Sequence, residues 1–162
     1  MKKYEEALSA AQESLLLAQV LETPTSMTLS YEVLVRSYRE TGHLIQTAQT
    51  AAQEWRWARR SGRVEVCNNA LTDCAHVRNL QAREACGLPK KRASFPEQIP
   101  AEAQIPLALR RIQSARRFVR WATPLAAQLD RQSARRNQQE DLDEVLQAAS
   151  ELEAWLTRKG NR

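Results

Sequence analysis

The spacing of apolar residues along the chain predicts helices rather than strands. Apolar side chains recur at intervals of three and four residues over six segments, as in helices that bury one face, and no segment alternates convincingly between apolar and polar positions. Glycines end the second, third and fourth segments, and Pro106 and Pro124 are candidate breaks in the fifth. The predicted helices are residues 4–21, 27–41, 44–61, 64–86, 102–129 and 138–158. The fold class is therefore all-α.

The apolar stripe of each helix defines the residues that should be buried. Arg56, Arg59, Arg60 and Arg63 follow the same spacing on the other side of the third helix and should be exposed. The fifth and sixth helices should pair as an antiparallel hairpin. The expected buried positions are Ala7, Ala11, Leu15 and Ala18; Met27, Tyr31, Leu34 and Tyr38; Ala48, Ala51, Trp55 and Ala58; Val66, Ala70, Cys74 and Val77; Ile112, Ala115, Val119 and Ala122; and Leu142, Val145, Leu146, Ala149, Leu152 and Leu156.

One segment of the first helix nearly repeats in the third. Residues 7–13 read Ala-Leu-Ser-Ala-Ala-Gln-Glu, and residues 48–54 read Ala-Gln-Thr-Ala-Ala-Gln-Glu. A period near 40 residues in a helical sequence is typical of stacked helical hairpins. Because such a hairpin cannot bury its apolar face alone, each one needs a neighbour. The repeat therefore favours a surface that holds another molecule over a reaction centre.

The charge is unevenly distributed along the 162 residues. The formal net charge is +5, yet residues 1–87 carry equal numbers of acidic and basic side chains. Residues 88–136 carry eleven basic and three acidic side chains, and residues 137–162 are acidic overall. Residues 88–100 hold three prolines and the run Lys90-Lys91-Arg92, which predicts an extended linker; the run is either a nuclear-targeting patch or a solvated turn. We expect helical repeats over 1–87, a linker over 88–101 and a helical hairpin over 102–162.

The cysteines and the N-terminus point to a cytoplasmic protein. Cys67, Cys74 and Cys86 are an odd number, and neither a signal peptide nor an apolar membrane-spanning run is present. We expect free thiols, with Cys67 and Cys74 packed in the core. Metal binding is not expected, because no Cys-x-x-Cys or histidine pair accompanies the cysteines.

Four stretches of the first half resemble a known repeat family. Residues 4–18 hold Tyr-Glu-Glu-Ala-Leu and Glu-Ser-Leu-Leu-Leu-Ala, residues 34–42 read Leu-Val-x-x-Tyr-x-x-x-Gly, residues 55–59 read Trp-Arg-Trp-Ala-Arg, and residues 68–75 read Asn-Asn-Ala-Leu-x-x-x-Ala. Together they resemble tetratricopeptide repeats, over about half of the chain. The resemblance implies an α-solenoid of stacked antiparallel hairpins, with a concave groove lined by the first helix of each repeat.

The same resemblance implies which residues would bind a ligand, usually an extended peptide or a partner helix. With Tyr38 at the aromatic position of the family, the concave face of two successive repeats takes seven polar residues. Asparagines suit this role because they offer both donors and acceptors to a peptide backbone. The alternative is that all seven are solvated polar positions. The implied peptide-binding residues are Glu32, Arg36, Arg39, Asn69, Thr72, His76 and Asn79.

No catalytic motif is recognisable, so we expect a protein that is not an enzyme and needs no cofactor. Glycine-rich phosphate loops and the common hydrolase and metalloprotease motifs are absent from the sequence. His43 follows a helix-ending glycine and should be exposed. Glu140, Asp141, Asp143 and Glu144 suggest a metal site only weakly, because acids at the start of a helix are explained by its dipole.

The arginines of the fifth helix suggest a different kind of partner, a nucleic acid. Arg110, Arg116, Arg117 and Arg120 fall within an arc of roughly 120° on a helical projection, and Arg131, Arg135 and Arg136 follow. Guanidinium groups so arranged could bind the phosphates of RNA or DNA. They could equally pair with the acidic start of the sixth helix or face solvent.

Two hypotheses follow, of which we favour the first. In the first, the chain is a protein-interaction module that holds a peptide or partner helix in its groove. In the second, it is a small basic nucleic-acid-binding protein, or a subunit of a ribonucleoprotein complex. The sequence identifies neither the partner nor the oligomeric state.

Overall fold

The residues that the structure describes form six helices. A computed structural model describes residues 2–21, 23–88 and 104–160. Within these ranges no residue forms a strand, so the predicted all-α class is confirmed. The helices are α1 (Lys2–Leu21), α2 (Pro24–Thr41), α3 (Leu44–Ser61), α4 (Val64–Ala85), α5 (Ile105–Ala126) and α6 (Gln132–Gly160).

The predicted helix boundaries are close except at the starts of α2 and α6 and at the end of α5, which is Ala126 and not Leu129. Pro24 lies in the first turn of α2, where its missing N–H costs no hydrogen bond, so the helix begins three residues before the predicted start at Met27. The start of α6 at Gln132 is six residues before the predicted one. Neither proline breaks α5: Pro106 lies in its first turn and Pro124 in its last. The predicted start at Glu102 lies outside the described residues.

Three glycines end helices as predicted, by adopting the left-handed conformation; Gly62, which follows α3, has φ of 65°. Gly42 has φ of 85°, and the next amide, that of His43, donates to the Tyr38 carbonyl at 2.9 Å. Gly87 has φ of 67°, and the Leu88 amide donates to the Arg83 carbonyl at 2.9 Å. The turns at Gly42 and Gly87 are Schellman motifs, which satisfy carbonyls that the helix end leaves free.

Successive helices pack against each other in antiparallel pairs. Ala58, near the end of α3, packs on Val66 and Ala70 at the start of α4, whereas Ala51 packs on Cys74 and Val77 further along α4. Helix α4 lies in the centre, since it contacts α2, α3, α5 and α6. The extensive contacts of α1 are with α2.

The largest core clusters join α4, α5 and α6. One brings Ala82, Cys86 and Leu88 against the start of α5 and the end of α6, and the other brings Leu71 and Ala75 against the end of α5 and the start of α6. Helices α5 and α6 therefore run antiparallel, as predicted, and both pack directly on α4. Leu88, the first residue of the predicted linker, is buried in this core. Residues 89–101, with Lys90-Lys91-Arg92, lie outside the described part of the chain.

The predicted buried positions are all buried or partly buried. The arginines predicted to be exposed are indeed exposed: Arg56, Arg59 and Arg60 on α3, and Arg63, which precedes α4. His43 is exposed as well. The three cysteines are free thiols; Cys74 and Cys86 are buried and Cys67 is partly buried. None of the described helices is long and apolar enough to cross a membrane.

Candidate functional site: a groove lined by alternate helices

Alternate helices α2, α4 and α6 line one cavity of about 640 Å³, which we call the groove. Helix α4 forms its floor, because it contacts both α2 and α6. Almost every side chain in its wall is polar or charged. The lining residues are Glu32, Arg36, Arg39 and Glu40 from α2; Asn69, Thr72, Asp73, His76 and Leu80 from α4; and Gln138, Asp141 and Glu144 from α6.

Six of the seven residues that the resemblance implies lie in this wall; Asn79 does not. It is buried, and its Nδ2 donates to the Val145 carbonyl of α6 at 2.9 Å. Asn79 therefore joins two helices of the core instead of facing a ligand. The six residues in the wall are Glu32, Arg36, Arg39, Asn69, Thr72 and His76.

The asparagine amides of α4 are partly used by α6. Gln138 Nε2 donates to Asn69 Oδ1 at 2.7 Å, and Gln138 Oε1 accepts from Asn68 Nδ2 at 2.6 Å. The Asn69 carbonyl, which we expected to accept from a ligand, thus already has a donor. Gln138 therefore bridges α4 to α6 in the wall of the groove.

Both arginines of the groove have carboxylate partners within it. Arg36 lies 3.5 Å from the Glu32 carboxylate, one turn earlier on α2. Arg39 Nη1 lies 3.5 Å from Asp73 Oδ1, which joins α2 to α4, and Arg39 Nε lies 3.9 Å from Glu40. The positive charge of the groove is therefore compensated by its own wall.

Burial changes the titration of two groove residues. Burial raises the pKa of Asp73 to about 6; Arg39 opposes the rise and Glu32 adds to it. The pKa of His76 is lowered, first by burial and then by Arg39, while Glu144 and Asp141 act in the opposite direction. His76 is thus neutral at pH 7, and it offers one ring nitrogen as donor and one as acceptor.

The sequence did not assign Glu40, Asp73, Leu80 or Gln138 to the groove. Nor was Glu54, on the neighbouring helix α3, predicted to be buried. Its side chain is fully buried on α3, and neither carboxylate oxygen has a hydrogen-bond partner. Burial raises the pKa of Glu54 well above its usual value, and Asp73 and Glu32 of the groove raise it further. Its helical spacing from Ala51 and Ala58, three and four residues, could have identified it as buried.

The acids of α6 were wrongly attributed to a helix start. Because α6 begins at Gln132, its first turn carries no acid, and Glu140 to Glu144 lie in later turns. Asp141 and Glu144 line the groove, whereas Glu140 and Asp143 do not. Among the described residues no cluster of His, Cys, Asp or Glu is arranged to hold a metal ion.

The arginines proposed for nucleic acid are divided between two environments. Arg116 is paired with Glu153 of α6 at 2.6 Å, and Arg136 with Glu140 at 2.7 Å. Arg135 Nε donates to the Leu129 carbonyl, which fixes the turn between α5 and α6. The remaining four are exposed and form no ion pair with a described residue: Arg110, Arg117 and Arg120 on α5, and Arg131 in the turn. Arg135 and Arg136 are exposed as well, despite their partners.

The cysteines do not supply a reactive group near the groove. Burial raises the pKa of Cys74 to about 12, and Glu54 and Asp73 add to the rise. Burial also raises the pKa of the Cys67 and Cys86 thiols. At pH 7 all three are thiols, not the thiolates that nucleophilic chemistry needs.

Comparison with known proteins leaves the groove as the main functional evidence. No protein-family model matches the chain, and neither the curated proteins nor the solved structures include a match.

Proposed function

We propose that the chain is a non-enzymatic interaction module that binds a segment of a partner protein, as a peptide or a helix, in the groove. One observation carries the proposal: three helices that are not consecutive in the sequence contribute polar side chains to a shared cavity of about 640 Å³. Ligand sites typically measure about 300–1,000 Å³.

The composition of the wall supports a peptide ligand. A peptide in extended form presents its backbone N–H and C=O groups, which need partners when water is displaced. The groove offers the imidazole of His76 and the Nδ2 group of Asn69. The Thr72 hydroxyl donates to the Asn68 carbonyl and can still accept a hydrogen bond, whereas the Gln138 amide is already paired with Asn68 and Asn69. An apolar small molecule would leave His76 and the Asn69 Nδ2 group without partners.

The resemblance to tetratricopeptide repeats supports the same proposal. In that family the first helix of each repeat lines the concave face, and here the alternate helices α2, α4 and α6 share the groove. Helix α1 would then correspond to the second helix of a preceding repeat. A cytoplasmic location remains a prediction of the sequence.

Selection from a random library tests the proposal. A displayed library of random peptides is selected against the immobilised full chain. Binding of the selected peptides is then measured to a blocked variant, Asp141→Trp with Glu144→Trp, whose indoles fill the groove from exposed positions. The matched control is Glu140→Trp with Asp143→Trp, which adds the same bulk to the same helix outside the groove.

The proposal predicts that selected peptides bind the wild type and the control alike and bind the blocked variant at least about tenfold more weakly, a difference of about 1.4 kcal/mol. Selection of no peptide, or equal binding to all three proteins, would show that the groove is not a peptide site.

A second candidate function rests on the exposed arginines of α5. Arg110, Arg117 and Arg120 are exposed, and none forms an ion pair with a described residue. Such a face can bind the phosphates of RNA or DNA, most strongly at low salt.

Fluorescence anisotropy with random-sequence RNA and DNA at about 50 mM salt tests this candidate. Replacing the three arginines by glutamine should abolish binding, whereas the same change at Arg56, Arg59 and Arg60 of α3 should have little effect. Absence of binding by the wild type at this salt concentration would eliminate the candidate.

A further inference from the structure

The groove has an excess of negative charge that the rest of the chain does not share. Its wall carries five carboxylates against two guanidinium groups, and His76 is neutral at pH 7. The complete chain, in contrast, has a formal net charge of +5. The groove is thus an acidic cavity in a basic protein.

The uncompensated charge lies on the α6 side. Arg36 and Arg39 have their partners on α2 and α4, at Glu32, Glu40 and Asp73. Asp141 and Glu144 are exposed and form no ion pair with any described residue. Two carboxylates on one helix, three residues apart on the same face, are therefore available to a cation that enters the groove.

Glu54 of α3 does not line the groove, but it is affected by the charges of the groove wall. Its carboxylate is fully buried without a hydrogen-bond donor, and the charges that act on it are those of Asp73, Glu32 and Arg36, all in the groove wall. Burial raises the pKa of Glu54 well above its usual value, and the Asp73 and Glu32 carboxylates raise it further. Further negative charge is therefore disfavoured on this side of the groove, and a cation there would be favoured.

We infer that the groove recognises a protein segment rich in Lys or Arg, whose cationic side chains lie between Asp141 and Glu144 of α6 and Asp73 of α4. The inference rests on the proposed function and specifies its partner. An acidic peptide or a nucleic acid would meet the same carboxylates with unfavourable charge. Complementary charge contributes specificity and a fast association rate.

Binding of such a segment should be linked to pH. A cation favours the ionised form of Asp73, so affinity should increase as the pH rises through about 6. The groups that face Asp73 are Glu32, Arg36 and Arg39 of α2, Glu54 of α3 and Asp141 of α6. His76 acts in the same direction, because its protonation at low pH adds a repelling charge.

Two labelled peptides, nona-arginine and nona-glutamate, test the inference by fluorescence anisotropy with the full chain. The groove variant is Asp141→Lys with Glu144→Lys. The control is Glu140→Lys with Asp143→Lys, which changes the net charge by the same amount on the same helix outside the groove. The control therefore accounts for long-range attraction to the whole molecule.

The inference predicts that nona-arginine binds the wild type and the control with similar affinity and binds the groove variant at least about tenfold more weakly. Wild-type affinity should rise between about pH 5 and pH 7.5, and Asp73→Asn should reduce this dependence. Nona-glutamate should not bind. If nona-arginine binding is weakened equally in both lysine variants, or if nona-glutamate binds, the inference is overturned.

The library selection separates the two proposals. Selected peptides that depend on the groove but lack Lys and Arg would overturn the inference about charge and leave the proposed function intact. A library from which no groove-dependent peptide emerges would overturn both.

Discussion

Glu54 places an ionisable side chain in a fully buried position. A fully buried carboxyl group without a hydrogen-bond partner destabilises the folded state. Replacement by an apolar side chain of similar length removes the orphaned oxygens. We expect Glu54→Met to raise the free energy of unfolding by about 1–3 kcal/mol at neutral pH, measured by urea denaturation.

The control for this change is Glu13→Met on an exposed position of α1, which should alter the free energy of unfolding by less than about 0.5 kcal/mol. A large loss of stability in Glu54→Met would mean that the carboxyl group is paired in the folded protein. If Glu54→Met is more stable than the wild type but binds the selected peptides more weakly, Glu54 contributes to peptide binding in the groove.

Asp73 should make stability depend on pH. Because its pKa is raised to about 6 in the folded protein, the folded state holds the proton more tightly than the unfolded chain. This contribution is complete below the unfolded pKa and is lost as the pH rises through about 6. The raised pKa of Glu54 acts in the same direction, and the lowered pKa of His76 acts in the opposite one.

The comparison of wild type with Asp73→Asn isolates the contribution of Asp73. Between about pH 4.5 and pH 7.5 the wild type should lose on the order of 1–3 kcal/mol of unfolding free energy relative to the variant. Urea denaturation across this range provides the measurement. Parallel pH profiles for the two proteins would show that Asp73 titrates normally.

At the scale of helices, the core formed by α4, α5 and α6 should dominate stability. Leu152 of α6 is almost completely buried in this core, together with Ala82 of α4 and Ile112 of α5. Leu152→Ala leaves a cavity and should lower the free energy of unfolding by about 2–5 kcal/mol.

Leu16→Ala on α1 provides the comparison, because that leucine is 63% exposed, and its loss should cost less than about 0.5 kcal/mol. Similar small effects for both leucines in urea denaturation would contradict the packing of α6 on α4.

Helix α1 should be the least stable of the six. Its extensive contacts are with α2 alone, and it exposes Leu16, Leu17, Val20 and Leu21, whereas α4 contacts four other helices. Backbone amides of α1 should therefore exchange with solvent faster than those of α4, in amide hydrogen exchange followed by mass spectrometry. Equal protection of the two helices would mean that α1 is held by contacts beyond α2.

The sequence predicted the helical segments that pack in the core, but it did not predict helical turns that are exposed to solvent. The apolar stripe of α6 from Leu142 onward predicted its buried face correctly. Its first turns, from Gln132, are mostly exposed and carry no stripe, so apolar spacing could not detect them. That missing start led to the wrong explanation of Asp141 and Glu144.

At the scale of the whole molecule, the groove could be predicted only in part from the sequence. The resemblance implied six residues that lie in the groove, all on α2 and α4. It could not supply the third wall, because the position of α6 is set by core contacts between residues far apart in sequence, such as Leu71 with Leu142 and Val145. The acidic character of the groove depends on α6, because this helix contributes Asp141 and Glu144.

Carboxyl footprinting would show whether a bound peptide lies in the groove. Exposed carboxyl groups are labelled with a carbodiimide and an amine, with and without a peptide selected from the library, and each acid is quantified by tandem mass spectrometry. The bound peptide should reduce labelling of Asp141 and Glu144 and leave labelling of Glu140 and Asp143 unchanged. Unchanged labelling of all four acids, or protection confined to residues outside the groove, would contradict binding in the groove.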